Sequence, residues 1–294
     1  MIWGAAFMAT KTAAMEISPL TVAALRLMGA AAILTAMLRL RGERLPGFSG
    51  PQERLFWFAA AGMAFLSNAM PFTALAWAQR HVDAGLAGVF MASVPLFVLP
   101  LGHVFVPGER LTFRKTAGFC FGFAGVGVLI GPTAFSGIGT GTGLALMAQA
   151  ACLLAALGYA SGSIVSKRAP QLGLLKFGTA ALIIAMLMTV PMAALLERPW
   201  EIAPSGMAMM AVVYLSVAAT ALATIFLLEV IRSAGPSFMS LVNYQVPIWA
   251  VVFGTLFLGE TPSPRLWIAL LLILTGLGIA QGVLGIRRGG HARG

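Results

Sequence analysis

Polar chemistry is scarce in this sequence. Only 10% of its 294 residues are charged, with 9 acids against 19 Lys and Arg, and there are 3 His and 2 Cys. Each shortage closes off a class of function. An intramembrane hydrolase or acyltransferase needs a general acid and base in hydrogen-bond reach, yet no apolar span holds two acids and His81 and His103 lie far apart in the chain. No metal-ligand spacing occurs either. No catalytic residue, metal or cofactor is therefore expected. Cys120 and Cys152 fall inside apolar runs, where a free Cys acts as a small hydrophobe rather than half of a disulfide framework. The net charge of +10 has no polar domain to carry it, so nucleic acid is not an expected partner. The start, Met1 to Met15, lacks the basic n-region of a cleavable signal peptide. The Gly137–Gly143 stretch has the glycines of a phosphate loop but follows no strand, and reads as a flexible joint.

What the sequence has in abundance is apolar length. It is 59% hydrophobic, and runs of roughly 20 apolar residues, enough to cross the hydrocarbon core, recur along all of it. Cut at Pro, Gly and charge, they predict ten spans at about 1–15, 18–40, 54–79, 83–106, 113–131, 142–167, 172–196, 206–231, 235–258 and 265–286. The first is short, so a longer native first helix, extending upstream of Met1, is expected. Basic residues divide unevenly between alternate loops. One set, with the C-terminal tail, holds Arg39, Arg41, Arg44, Arg54, Arg110, Arg114, Lys115, Lys167, Arg168, Lys176, Arg232, Arg287, Arg288 and Arg293; the other holds Arg80, Arg198 and Arg265. Cytoplasmic loops carry the excess of Lys and Arg, which predicts a multi-pass inner-membrane protein of bacterial type with both termini cytoplasmic.

One pattern is used twice. Pro95, Gly108-Glu109, Arg114, Gly125, Gly127 and Gly131 are matched by Pro247, Gly259-Glu260, Arg265, Gly276, Gly278 and Gly282. Residues 64–95 align with 216–247 at an offset of 152, and Trp3 and Lys11 match Tyr159 and Lys167 at 156. Each half then holds five spans. Five is odd, so the second half must enter the membrane from the opposite side. The predicted fold is an all-α polytopic membrane protein. Its ten transmembrane helices form two five-helix inverted-topology repeats, 1–135 and 142–286, followed by a basic cytoplasmic tail, 287–294. Secondary transporters are built this way, with the substrate near the midplane where the repeats meet.

The opening residues Trp3-Gly4, Phe7, Lys11, Pro19 and Leu25-Arg26, with the twice-used Pro…Gly-Glu…Gly-x-Gly pattern, resemble the drug/metabolite transporter superfamily, EamA type. The resemblance covers nearly the whole chain and rests on duplicated spacing rather than on one motif. It implies ten helices around a central cavity and a secondary transporter of small metabolites. The expected activity is export of amino acids, aromatic or otherwise hydrophobic, by alternating access without ATP. The alternatives are export of other metabolites or drugs and, behind these, a channel or a lipid-handling protein. Expected partners are a small-molecule substrate and membrane lipid, with the protein a monomer or a homodimer.

Candidate substrate-binding residues come from the span faces. Trp3 and Phe7 lie on span one; Asn68 and Phe72 on span three; Met91 and Pro95 on span four; Tyr159 and Ser163 on span six; Thr220 and Thr224 on span eight. On span nine Ser240, Asn243, Tyr244 and Pro247 share a helical face. Pro95 and Pro247 read as a pair of helix breaks lining the site or as packing kinks. The polar groups read as ligand contacts or as interhelical glue. Trp3, like Trp200 and Trp267, has interface anchoring as its alternative. Lys11 and Arg26 either snorkel to the surface or attract a substrate carboxylate. Glu229 is a proton-coupling or amine-binding group, or a salt-bridge partner of Arg232. Glu109 and Glu260 read as acids that stabilise turns and cap the helix that follows. Gly118 with Gly122, Gly127 with Gly131, and Gly278 with Gly282 read as small-xxx-small contacts.

Overall fold

The structure, a computed structural model, describes residues 1–131, 142–226 and 236–282, with the side chains of 142 and 236–244 not among those described. Every element among these residues is helical. In chain order they are α1 (Ile2–Glu16), α2 (Pro19–Leu40), α3 (Pro51–Ala78), α4 (Ala84–Phe105), α5 (Phe113–Ile130), α6 (Thr142–Arg168), α7 (Leu174–Leu196), α8 (Gly206–Phe226), α9 (Pro236–Leu258) and α10 (Pro264–Gln281). Over their described residues, 8 of these helices, α2 to α8 and α10, are long and apolar enough to cross a membrane, while α1 has 15 residues and α9 is described in full only over Gln245–Leu258. Phe58, Phe65, Leu187, Leu195 and Leu256 point outward. Large side chains exposed along apolar helices suit lipid as the solvent, and the result is a membrane protein fold. The joint at 137–143, Glu229, Arg232 and the tail at 287–294 lie wholly or largely outside the described residues.

Helix starts follow local chemistry. Ser263 caps α10 by accepting from the Leu266 N–H, with Pro264 at the first position. Thr112 caps α5 through the Lys115 N–H in the same manner. Glu109 and Glu260 are thus not needed by the helices that follow them, contrary to the sequence expectation. Glu260 instead reaches back to α4, accepting from the N–H groups of Ala84 (2.6 Å) and Gly85 (2.9 Å). Two further acids do likewise. Glu197, after α7, accepts from the Leu20 and Thr21 N–H groups at the start of α2, and Glu16, ending α1, accepts from the N–H and hydroxyl of Ser205, the cap of α8. The first N–H groups of a helix have no intrahelical partner, and a carboxylate from another helix meets that need here.

Helix contacts recur in pairs that the sequence repeat relates. Helix α1 packs on α8 as α6 does on α3, α1 on α9 as α6 on α4, and α2 on α8 as α7 on α3. The remaining large contacts join repeat equivalents directly: α5 with α10, α2 with α7 and α4 with α9. The α5–α10 seam shows why glycine is needed. A Cβ on Gly118 would overlap the Gly276 carbonyl oxygen, and one on Gly276 would overlap Gly118 and Gly122 backbone. Gly127 faces no neighbour within 4 Å, so it takes no part in that seam. At the helix ends the Arg265 guanidinium fills the space beside Gly131, and Arg114 does the same beside Gly282.

Two departures from regular helix matter for function. Residues Ala64–Ala69 of α3 and Val217–Leu222 of α8 are π-helical, at repeat-related positions. The second departure is asymmetric. Helix α4 breaks at Ala92-Ser93, ahead of Pro95, where the Ser93 N–H and hydroxyl both donate to the Phe90 carbonyl, whereas α9 runs unbroken through Pro247. The position equivalent to Ser93 is Gln245, which lacks the short hydroxyl that satisfies a freed carbonyl.

Candidate substrate cavity

A cavity of about 450 Å³ opens among α1, α2, α3, α4, α6, α8 and α9. Ligand sites commonly measure roughly 300–1,000 Å³. Helix α1 contributes Trp3, Phe7 and Thr10, spaced four and three residues apart on one face. Helices α3 and α8 contribute the two π turns. A π turn widens the helix by one residue and leaves carbonyls without their usual donors. Asn68 Nδ2 donates to the Met63 carbonyl (3.2 Å), and Thr220 Oγ1 donates to the Leu215 carbonyl (2.8 Å), both five residues back. Asn68 and Thr220 are repeat equivalents. Within the second π turn the Ala219 carbonyl accepts from Trp3 Nε1 at 3.2 Å. This bond fixes the Trp3 indole in the cavity wall, while Trp200 and Trp267 are exposed.

Arg26 is the one charged side chain among the described lining residues. It is 9% exposed. Its Nε donates to Thr220 Oγ1 at 2.8 Å, and its Cζ lies 3.7 Å from the centroid of the Phe72 ring. Phe72 in turn sits 6.4 Å, centroid to centroid, from Tyr159. The hydroxyls of Ser163 and Thr224 donate to the Ala160 and Thr220 carbonyls, which fixes their orientation. Gln79 is fully buried against the cavity, and neither amide atom has a hydrogen-bond partner among the described residues.

Of the residues picked from sequence, Trp3, Phe7, Asn68, Phe72, Met91, Pro95, Tyr159, Ser163, Thr220, Thr224, Pro247 and Arg26 all line this cavity. Lys11 does not. Its ammonium is held by Asp83 (2.8 Å) and Glu260 (3.0 Å) at one end of the helix bundle. Its repeat equivalent Lys167 pairs with Glu109. The side chains of Ser240, Asn243 and Tyr244, and the whole of Glu229, lie outside the described residues. Thr10, Ser67, Gln79 and Ser166 also line the cavity without having been chosen. Gln79 carried a readable signal, an amide at the end of an apolar span beside Arg80. The others did not, because small hydroxyls are equally common where helices merely touch.

Where the acids go is as informative as the lining. Glu16, Glu53, Glu197 and Glu260 accept from backbone N–H groups at helix starts. Asp83, Glu43, Glu109 and Glu201 pair with Lys11, Lys176, Lys167 and Arg198. No acid lies among the described cavity residues, and no cluster that could hold a metal ion occurs among the described residues.

A similar architecture and related sequences occur in known proteins. A solved crystal structure superposes with a TM-score of 0.68 at 22% identity, over 96% of this chain and 94% of that one, which is a likeness of fold. An uncharacterized inner membrane transporter of Escherichia coli K12, YedA, is 28% identical over 282 residues, 93% of this chain and 85% of its own length. Protein PagO of Salmonella typhimurium is 24% identical over 278 residues, 94% of this chain and 88% of its own. Residues 1–131 and 146–280 each match the EamA-like transporter family. With both matches together spanning most of the sequence, and with the cavity set between the two matched regions, this chain belongs to the EamA-like transporter family.

Proposed function

We propose that this protein is a secondary transporter that moves small metabolites across the bacterial inner membrane by alternating access, without ATP and without catalysis of its own. Amino acids with aromatic or other hydrophobic side chains are the first candidate substrates, carried outward. The observation that carries this reading is the cavity, where two π turns converge on an aromatic wall and a buried guanidinium. The rings of Trp3, Phe72 and Tyr159 in the cavity wall suit a flat apolar side chain, and fixed polar groups suit its polar end.

The proposed architecture is ten transmembrane helices in two inverted five-helix repeats. Reciprocal contacts support it. Lys11 of the first repeat pairs with Glu260 of the second, and Lys167 of the second with Glu109 of the first. Arg114 likewise sits at Gly282 and Arg265 at Gly131. Contacts that return with both partners exchanged are what a pseudo-two-fold axis produces. If that axis lies in the membrane plane, the two ion pairs tie the repeats together at opposite faces. Opening the cavity toward one face then requires breaking the tie at that face, while the other holds. The bias of Lys and Arg toward one set of loops supports cytoplasmic termini. Since one chain lines the cavity, a single copy is the proposed transport unit, whether or not it pairs in the membrane.

Purified protein in liposomes should exchange labelled phenylalanine or tryptophan without ATP. Absence of exchange across a full amino acid panel would refute the amino acid assignment. Exchange of another metabolite class would redirect it within the transporter reading. A reporter fused after Gly294 should report a cytoplasmic C-terminus, and a periplasmic signal would reverse the topology.

A further inference from the structure

We infer that the cavity selects substrates by a single carboxylate, which the Arg26 guanidinium binds, and that it rejects amines and phosphate esters. This rests on the transporter reading of the same cavity. Arg26 keeps its charge at any working pH, and a buried cation without a counter-charge is costly. Among the described residues it has no carboxylate within ion-pair distance, and the described acids are engaged elsewhere or at the surface. Thr220 takes its Nε, and Phe72 covers one face of the guanidinium plane. The two terminal nitrogens donate to no described residue, while the side chain lines the cavity. What is left is the outer fork of the guanidinium, held in place on its other sides. That fork matches two coplanar carboxylate oxygens.

Charge count narrows the class. One buried cation balances one negative charge. A phosphate monoester brings about −1.5 to −2 at pH 7, which leaves an excess anion in a cavity with no second cation among its described residues. An amine or quaternary ammonium would face Arg26 with no acid among the described lining residues to receive it. A second polar anchor lies further along the wall. Gln79 stands seven residues beyond Phe72, at the C-terminal cap of α3, about 10 Å along the helix axis; it is fully buried beside the cavity, and its amide has no hydrogen-bond partner among the described residues. The substrate class is therefore a small monocarboxylate with a flat apolar body, zwitterionic amino acids included, whose second polar group is recognised by an amide rather than by an acid.

The test uses the full-length protein in nanodiscs and four compounds on one phenyl frame: 3-phenylpropionate, phenylalanine, phenylalaninamide and phenethylamine. Binding is read by Trp fluorescence, to which Trp3 in the cavity wall contributes. The two carboxylates should bind, and phenylalaninamide and phenethylamine should not. Arg26→Gln should weaken carboxylate binding about 10- to 100-fold, and Arg26→Lys should retain part of it. Binding of the amine or amide as tightly as the carboxylates overturns the inference, as does failure of both carboxylates to bind. The wild-type protein alone separates these outcomes, even if an Arg26 variant fails to fold. Binding of 3-phenylpropionate without phenylalanine transport would sink the amino acid reading and leave this inference standing. Phenylalanine transport unchanged in Arg26→Gln would do the reverse.

Discussion

Replacing Glu260 with alanine removes the shared acceptor of Ala84 N–H, Gly85 N–H and the Lys11 ammonium in one step. The carboxylate is 8% exposed, so water does not readily take its place. Each N–H left unpaired at the α4 start costs about 1–3 kcal/mol, and losing the anion at a helix N-terminus adds about 0.3–1 kcal/mol. Lys11 keeps Asp83, whose side chain is 59% exposed, so its loss is partial. The sum, about 2–7 kcal/mol, brackets the range of about 3–5 kcal/mol for breaking one side of a buried pair. Lys11→Met leaves both backbone bonds to Glu260 intact and should cost less, about 1–2 kcal/mol. For soluble chains of comparable size, 1 kcal/mol shifts the melting point by about 2–4 °C. At about 3–5 kcal/mol, Glu260→Ala should then melt roughly 6–20 °C below the parent, with Lys11→Met in between. The assay is intrinsic-fluorescence melting in one detergent at one scan rate, since membrane-protein unfolding is rarely reversible. A Glu260→Ala variant melting within about 2 °C of the parent would refute the reasoning. So would Lys11→Met proving the more damaging change, because the grip on the α4 start would then not be what matters.

Three further perturbations separate the remaining claims. The hydrogen bond from Lys167 holds the Glu109 carboxyl below the usual carboxylate range; its contribution is therefore complete above the unfolded-state value, about 4.3, and is lost as pH falls through the lower folded value. The melting difference between parent and Glu109→Gln should stay flat between about pH 8 and 5 and shrink only below about pH 4, and a change between about pH 6 and 8 would contradict the pairing. Gly118→Ala drives a Cβ into the α10 backbone and should cost about 1–3 kcal/mol, whereas Gly127→Ala, with open space around it, should melt like the parent. Thr220→Val removes both the acceptor of Arg26 Nε and the donor to the Leu215 carbonyl; it should lower stability by about 1–2 kcal/mol and depress transport, while Thr220→Ser restores both.

Much of the fold was legible because its causes are local. Apolar runs bounded by Pro, Gly and charge placed α2, α3 and α6 within about three residues of Pro19–Leu40, Pro51–Ala78 and Thr142–Arg168. The cavity-lining residues were legible through helical periodicity, since Trp3 with Phe7 and Asn68 with Phe72 each share a face. The π turns were not. An extra residue in a turn leaves no trace in a repeat whose two copies carry it alike, at 64–69 and 217–222. The break near Pro95 without a counterpart at Pro247 was also missed, because it turns on one hydroxyl, that of Ser93.

By itself the sequence determined a helical membrane protein, duplicated, with its few charges gathered at the ends of its helices. Hydrophobic length and spacing need no knowledge of what touches what. The destination of those charges was decided only by tertiary structure. Lys11 and Arg26 look alike in the sequence, each a lone cation inside an apolar span. Folding carries Lys11 to Glu260, 249 residues away, and Arg26 to Phe72 and Thr220 at the cavity wall. One cation became a tie between the two halves, and the other kept a guanidinium edge that no described residue takes. The energy of a buried charge depends on its neighbours in space, and neighbours in space are what a linear sequence does not contain.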